Sequence, residues 1–239
     1  MDAETLAPYW EFFDKFYCIS IEERRDRRAH ARVQFEKVGL ADKVEFVIVQ
    51  KHPHNCEEGI FNSHMTCIKK GLQAAADRIV IFEDDILFDR FTPTGLKDCV
   101  SFLSGSDHWN ALFFGCLVSN SNQTRNRSVL KINYRCLAHG YVLNRQFAET
   151  LIKTQWQGTP YDDVLKNWPA HYYAAHPAFA FQSNSPTDNN RNMGLDRFRR
   201  VIGGLGRIQK WNEFYHHNKM PIIAAHVMIL LIILILMFV

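Results

Sequence analysis

The last 18 residues of the chain, from Ile222 to Val239, are almost entirely apolar and contain no charged side chain. A helix of this length rises about 27 Å, which is close to the hydrocarbon thickness of a bilayer. Such a run fits either a transmembrane helix or a helix buried in a protein core. We expect a transmembrane helix, because helices of soluble proteins are rarely apolar on every face.

Basic residues precede this run, and positive residues that flank a span favour the cytoplasmic side of a membrane. They include Arg199, Arg200, Arg207, Lys210 and Lys219. The N-terminus carries early acids and no long apolar core, so it does not read as a secretory signal. The predicted organisation is an N-terminal extension (1–15), a folded cytoplasmic domain (16–195), a basic juxtamembrane segment (196–220) and a C-terminal transmembrane helix (221–239).

Composition narrows the classes of function. The net charge is only +3, and no nucleic-acid-binding motif occurs, so we expect no nucleic-acid partner. The chain has six cysteines and no Cys-x-x-Cys pair. This spacing predicts a reducing compartment, without disulfides or a structural zinc site.

Strands and helices alternate in the first half of the chain. Apolar runs predict strands at Phe16–Ile21, Val44–Val49 and Ile79–Phe82. Between them we expect a helix that ends at Gly39, with Ser20 and Glu23 forming its capping box, and a second amphipathic helix. This order predicts a single α/β domain with a mostly parallel central sheet flanked by helices.

The second half is less regular. It predicts strands at Ala111–Leu117, Gly140–Leu143 and Pro177–Gln182, with a helix that follows Leu143. The segments 119–128 and 183–193 are polar, and we expect a loop and a flexible segment there.

Three carboxylates, Glu83, Asp84 and Asp85, stand at the end of the third predicted strand. Ligands of open α/β sheets bind at the carboxyl ends of strands. Residue alternation places Glu83 and Asp85 on one side and Asp84 on the other. Hard oxygen ligands of this kind suit Mn²⁺ or Mg²⁺, which would neutralise a departing diphosphate. The competing interpretation is that these acids cap a helix or pair with arginines.

Four segments, in this order, resemble glycosyltransferase family 25, the family of lipooligosaccharide-biosynthesis and collagen galactosyltransferases. They cover roughly residues 16–182 and read "ISIEERRDRR", "GIFNSHMTCIKKGL", "IVIFEDD" and "HGYVLNRQFAETLI". The resemblance implies a GT-A-like fold and a nucleotide-sugar donor, usually UDP-galactose or UDP-glucose. It also implies a saccharide or lipid-linked saccharide acceptor, as in lipopolysaccharide biosynthesis, and inversion at the anomeric carbon.

Two groups of residues are candidates for substrate binding. Arg24, Arg25, Asp26 and Arg28 follow the first strand, where nucleotide contacts occur in such folds, although a solvated basic helix face explains them equally well. Ser63 and His64 are expected to open a helix whose free N–H groups favour an anion.

The catalytic base requires a carboxylate away from the metal, because the acceptor hydroxyl attacks from the side opposite the leaving diphosphate. The candidates are Asp163, Asp162 and, less favoured, Asp188. One of the two adjacent acids is expected to cap the helix that follows them.

The interpretation that we favour is a membrane-tethered hexosyltransferase that uses a divalent metal. Two alternatives stay open at this point. One is another metal-dependent enzyme that uses nucleotides, and the other is a non-catalytic membrane-tethered binding protein on a transferase-like fold.

Overall fold

The structure is a computed structural model that describes residues 8–184 and 203–238. Its strands are β1 Lys15–Ile21, β2 Val44–Val49, β3 Arg78–Glu83, β4 Ile86–Phe88, β5 Ala111–Phe113, β6 Leu117–Gln123, β7 Val129–Cys136, β8 Gly140–Asn144, β9 Tyr172–Ala175 and β10 Ala180–Gln182. Its helices are α1 Arg25–Lys37, α2 Cys56–Gln73, α3 Pro93–Ser104, α4 Arg145–Leu151, α5 Tyr161–Asn167, α6 Gly204–His217 and α7 Lys219–Phe238.

Eight strands form a central sheet in the order β2-β1-β3-β8-β5-β9-β7-β6. β1 runs parallel to both β2 and β3, and β5 runs parallel to β9, whereas β8 and β7 run antiparallel to their neighbours. Six of the eight strands therefore point in one direction. This confirms the predicted fold class, a mostly parallel sheet flanked by helices.

The sheet has a hydrophobic layer on each face. In β3, Ile79 and Ile81 join one layer, while Val80 and Phe82 join the other, as expected for a central strand that is buried on both sides. The first layer is covered by α2, α4 and α5, and the second by α1 and α3. A small second sheet pairs β4 with β10 in antiparallel fashion, directly after the carboxylate cluster.

Two predicted helix starts are wrong. Ser20 does not cap a helix, because it lies inside β1, and α1 begins only at Arg25 with no side-chain cap. Ser63 and His64 do not open a helix either. Their helix, α2, begins at Cys56, and the Asn55 side chain accepts hydrogen bonds from the N–H groups of Glu57 and Glu58.

The predicted strand at Ala111–Leu117 is two strands. The chain breaks at Phe114, whose carbonyl accepts hydrogen bonds from Phe179 and Ala180. The predicted polar loop at 119–128 is also wrong in its first half, which belongs to β6. β6 is an edge strand with mostly polar residues, so it lacks the apolar alternation of a half-buried strand.

The chain's last described helix, α7, leaves the domain. Among the described residues, Lys219–Met237 is one helix that is long and apolar enough to cross a membrane, and none of this stretch is buried. Asp188, Arg199 and Arg200 lie outside the described residues, as does most of the segment predicted to be flexible.

Candidate functional site

A cavity of about 480 Å³ opens at the carboxyl ends of β1, β2 and β3. Because these three strands are parallel, their last residues meet at one edge of the sheet. Glu83, Asp84 and Asp85 line the cavity there. Residues from the second half of the chain complete the wall, among them Tyr161, Asp162, Asp163 and Gln182.

Arg27 is the positive charge that faces the carboxylates. Its Nη1 lies 3.4 Å from Asp84 Oδ1 and 3.9 Å from Asp85 Oδ2. The Ser20 hydroxyl donates a 2.6 Å hydrogen bond to Asp84 Oδ2. Asp84 is therefore held by two elements of the first half, β1 and α1, and its side chain is fixed before any ligand binds.

Glu83 contacts a different set of partners from Asp84. Gln182 Nε2 donates to Glu83 Oε2 at 3.2 Å, and His64 Nε2 lies 3.5 Å from Oε1. His64 is only 1% exposed. Its Nδ1 lies 2.9 Å from the Tyr141 hydroxyl, and its ring stacks on Tyr161 at 4.0 Å. These contacts fix the imidazole beside Glu83.

Burial shifts the pKa values of the ionisable side chains in the site and so changes its charge. It lowers the pKa of His64 to about 3, so the imidazole is neutral and its contact with Glu83 is not an ion pair. Burial and the Asp84 charge raise the pKa of Glu83 to about 7. Burial and the Glu83 charge raise the pKa of Asp85 to about 8. The site therefore carries less than its full negative charge at neutral pH unless a cation enters.

The residues present fit a divalent cation in part. Within the described part of the chain, no three His, Cys, Asp or Glu side chains form a group that could hold a metal by themselves. However, Asp85 Oδ1 is buried and has no hydrogen-bond partner among the described residues. One or two protein carboxylates with further oxygens from a bound phosphate are a usual arrangement for Mg²⁺. The site suits a cation that arrives with a phosphate-bearing ligand.

The predicted arginine cluster divides into two kinds of residue. Arg24 binds Asp26 through two hydrogen bonds of 3.0 and 2.9 Å, and the pairing lowers the pKa of Asp26 to about 2. Arg28 donates to the Ser20 hydroxyl and to the carbonyls of Ile21 and Glu22, at the end of β1 and just after it, and so braces the turn into α1.

Neither these residues nor the exposed Arg25 line the cavity, whereas Arg27 does. Sequence reasoning named the other members of this basic run and missed Arg27. The nucleotide-binding role of the named residues stays a prediction.

Ser63 and His64 both line the cavity, but for a different reason than predicted. They lie on the third turn of α2, where backbone N–H groups are already paired within the helix. The Ser63 hydroxyl donates to the Gly59 carbonyl at 2.6 Å. The predicted anion site at a helix start is therefore absent at these residues, and their contact with substrate stays a prediction.

The two candidate bases differ in their surroundings. Asp162 is enclosed, and it accepts hydrogen bonds from the Tyr134 hydroxyl and from the N–H groups of Leu137 and Ala138. Asp163 is 46% exposed at the cavity wall, with Lys166 at 3.5 Å. Neither caps α5, since the N-cap residue is Pro160. Both side chains line the cavity, but the Asp162 oxygens are already held by three donors, whereas Asp163 is partly exposed.

Residues 49–165 match the model of glycosyltransferase family 25, described as an LPS biosynthesis protein. This match contains three of the four segments that carry the sequence resemblance, and it leaves out "ISIEERRDRR". No curated protein matches the chain in sequence.

Solved structures with a similar backbone fold include three whose sequences are only 11–13% identical to this chain. A197 from STIV has a TM-score of 0.44 at 13% identity, over 70% of this chain and 84% of its own. A glycosyltransferase involved in the glycosylation of the major capsid of PBCV-1 has a TM-score of 0.42 at 11% identity, over 67% and 81%. HddC from Yersinia pseudotuberculosis complexed with GMP-PN has a TM-score of 0.38 at 13% identity, over 81% and 84%.

Proposed function

We propose that this glycosyltransferase, with its family 25 match over residues 49–165, moves a hexose from a UDP-hexose donor to a saccharide or glycolipid acceptor. Galactose and glucose are the sugars that the family resemblance favours. The observation that carries the proposal is the cavity at the end of β3, where a carboxylate cluster inside the family match faces Arg27.

The donor lies on the side of β1 and β2. Arg27 and Lys51 line this part of the cavity, and both can meet the diphosphate. Glu83 and Asp85 hold Mn²⁺ or Mg²⁺ together with the donor, while Asp84 supports them from its fixed position against Ser20. The bound metal supplies charge neutralisation for the departing nucleoside diphosphate.

The acceptor lies on the side of α5. Its hydroxyl oxygen attacks the anomeric carbon as the bond from that carbon to the diphosphate oxygen breaks. The hydroxyl proton passes to a carboxylate, because the neutral hydroxyl is a weak nucleophile. We assign this role to Asp163, since it lines the cavity and is partly exposed, while the oxygens of Asp162 are already occupied.

In this proposal α7 anchors the enzyme in a membrane, and the domain lies on the cytoplasmic face. A nucleotide-sugar donor and a lipid-linked acceptor then meet at one surface. Tethering raises the effective concentration of enzyme near such an acceptor without any new contact at the site.

The test uses the full-length chain in detergent and a panel of nucleotide sugars, with Mn²⁺, with Mg²⁺ and with EDTA. We expect metal-dependent binding of one UDP-hexose and its slow hydrolysis, which needs no acceptor. Binding without any turnover, with and without saccharide acceptors, would favour the non-catalytic alternative. No binding of any nucleotide sugar would refute the proposal.

A further inference from the structure

The helix α6 carries an aromatic surface that nothing in the described structure covers. Trp211, Phe214 and Tyr215 are 58%, 64% and 47% exposed. Residues three and four positions apart lie on the same side of a helix, so these three side chains form one stripe. Three large aromatic side chains on one exposed stripe are uncommon on a soluble surface and mark an interaction site.

The opposite side of α6 is packed on the domain by specific polar contacts. Gln209 Nε2 donates to the Ala180 carbonyl at 2.9 Å, and Asn212 exchanges two 3.0 Å hydrogen bonds with the backbone of Val118. Glu213 accepts from Arg90 and from the Ala178 N–H. These contacts fix the rotation of α6, so the stripe is held pointing outward.

The position of the stripe identifies its partner. α6 is followed by α7 after a single residue, Asn218. Tyr215 is seven residues from Ile222, which is about 10 Å along a helix. Tryptophan and tyrosine concentrate at the level of the lipid headgroups on either side of a transmembrane helix. If α7 is inserted in the membrane, the stripe therefore lies at the level of the lipid headgroups.

The charges around the stripe agree with a bilayer surface. The one acidic residue of α6, Glu213, is turned inward to Arg90, so it does not face the stripe. Lys210 at one end of the stripe is paired with Asp89, so it adds no net charge there. Lys219 at the other end donates hydrogen bonds to Asn120 and the Ser121 carbonyl and has no acidic partner in these contacts, and a basic residue near a cytoplasmic leaflet is attracted to its anionic lipids.

We propose that Trp211, Phe214 and Tyr215 dock α6 into the headgroup region of the bilayer, so that the domain is held in one orientation. This rests on the proposed insertion of α7. The consequence reaches the site, because Gly204 and Leu205 at the start of α6 line the cavity. The cavity edge then lies about 9 Å along the helix axis from Trp211. A docked α6 sets the height above the lipid at which an acceptor can react.

The experiment uses the full-length chain in phosphatidylcholine vesicles, with and without lipid brominated near the headgroup end of its acyl chains. Bromine quenches tryptophan at short range, and the chain has five tryptophans. Trp10 and Trp109 are buried in the domain. We expect brominated lipid to quench part of the emission of the parent protein, and the Trp211→Phe variant to lose that quenched component.

Flotation of the same samples separates the proposal from its premise. If the protein does not float with vesicles, the membrane anchor itself fails. If it floats and brominated lipid quenches the parent and Trp211→Phe alike, the anchor stands and the docking of α6 is overturned. Val33→Ser, an exposed apolar residue on α1, is the matched control and should leave the quenching unchanged.

A second copy of the chain is the competing occupant of the stripe. Nanodiscs that contain one chain each distinguish it from lipid. Quenching that persists in single-chain nanodiscs supports docking on the bilayer. Loss of quenching there, with Trp211 shielded only in discs that hold two chains, would show that the stripe joins two copies and would overturn the proposal.

Discussion

Asp85→Asn should stabilise the ligand-free protein while it abolishes turnover. The Asp85 carboxylate is enclosed, repelled by Glu83, and has one oxygen without a hydrogen-bond partner among the described residues. An uncharged amide of the same shape removes the cost of ionising a buried group. A residue kept for binding a cation is expected to be a local source of instability when the cation is absent.

The size of the expected stabilisation follows from the pKa of Asp85, which rises from 3.8 to about 8 on folding. Each unit corresponds to about 1.4 kcal/mol, so the full effect of ionising Asp85 at pH 8 approaches about 5 kcal/mol. The side chain is 15% exposed in an open cavity, and water there relaxes much of this cost. We expect a gain of about 1–2 kcal/mol, or about 3–6 °C in Tm for a chain of this size.

The pH dependence shows in which direction the ionisation of Asp85 changes the stability of the folded protein. A carboxyl whose pKa is higher in the folded state than in the unfolded state binds its proton more tightly when folded. The parent protein therefore loses stability as the pH rises from about 4 through about 8. The variant lacks this contribution, so its advantage should be small at pH 5 and large at pH 8.

The assay is thermal unfolding of the full-length chain in detergent at both pH values, with Asp163→Asn as the exposed control of the same chemistry. Mn²⁺ with UDP should raise the Tm of the parent and not that of Asp85→Asn, because a ligand stabilises only the state that binds it. A variant less stable than the parent at pH 8, or an equal difference at both pH values, would refute the reasoning.

Four further predictions concern the site and the anchor. Arg27→Gln should weaken UDP binding about tenfold by calorimetry, since it removes the charge that faces the carboxylates, whereas Lys37→Gln, at an exposed residue of α1 that does not line the cavity, should bind as the parent does. Asp163→Asn should keep UDP and metal affinity and lose turnover by about 10²-fold or more, and near-parental transfer would exclude it as the base. Asp162→Asn should instead lower the Tm, because three donors lose a charged acceptor. Deleting 219–239 should release the protein into the soluble fraction, and a full-length chain that is soluble without detergent would contradict the anchor.

Much of the first half of the fold was predictable because its signals are local. The apolar runs of β1, β2 and β3 are bounded by polar residues, and each predicted strand matches the observed one to within a residue at either end. The placement of the carboxylates followed from these bounds. A strand that ends in acids places them at the carboxyl edge of the sheet whatever the rest of the chain does.

The errors arose where a distant residue decides the outcome. The sequence position of Ser20 predicts a helix cap, but its hydroxyl donates a hydrogen bond to Asp84, which is 64 residues away in the chain. The sequence around His64 predicts the start of a helix, but the position of its ring is fixed by a hydrogen bond with Tyr141 and by stacking on Tyr161, both from the second half of the chain. Arg27 lies in a run of basic residues, and the sequence does not show which of them faces the cavity. The rotation of α1 about its axis, relative to β3, decides that it is Arg27.

The location of the site follows from the order of the strands. β3 is the strand at which the sheet passes from the parallel group β2-β1-β3 to the strands of the second half, beginning with β8. At the carboxyl edge of this parallel group, α1 follows β1 on one face of the sheet and α2 follows β2 on the other, and such a divergence opens a crevice. Elements of the first half, β1, β2 and α1, form one wall, and α5 with Gln182 forms the other. A transferase brings two substrates together at one point, and in the proposed reaction each of them would bind at one of these two walls. The carboxylates stand between the two walls because β3 is the strand that both halves share.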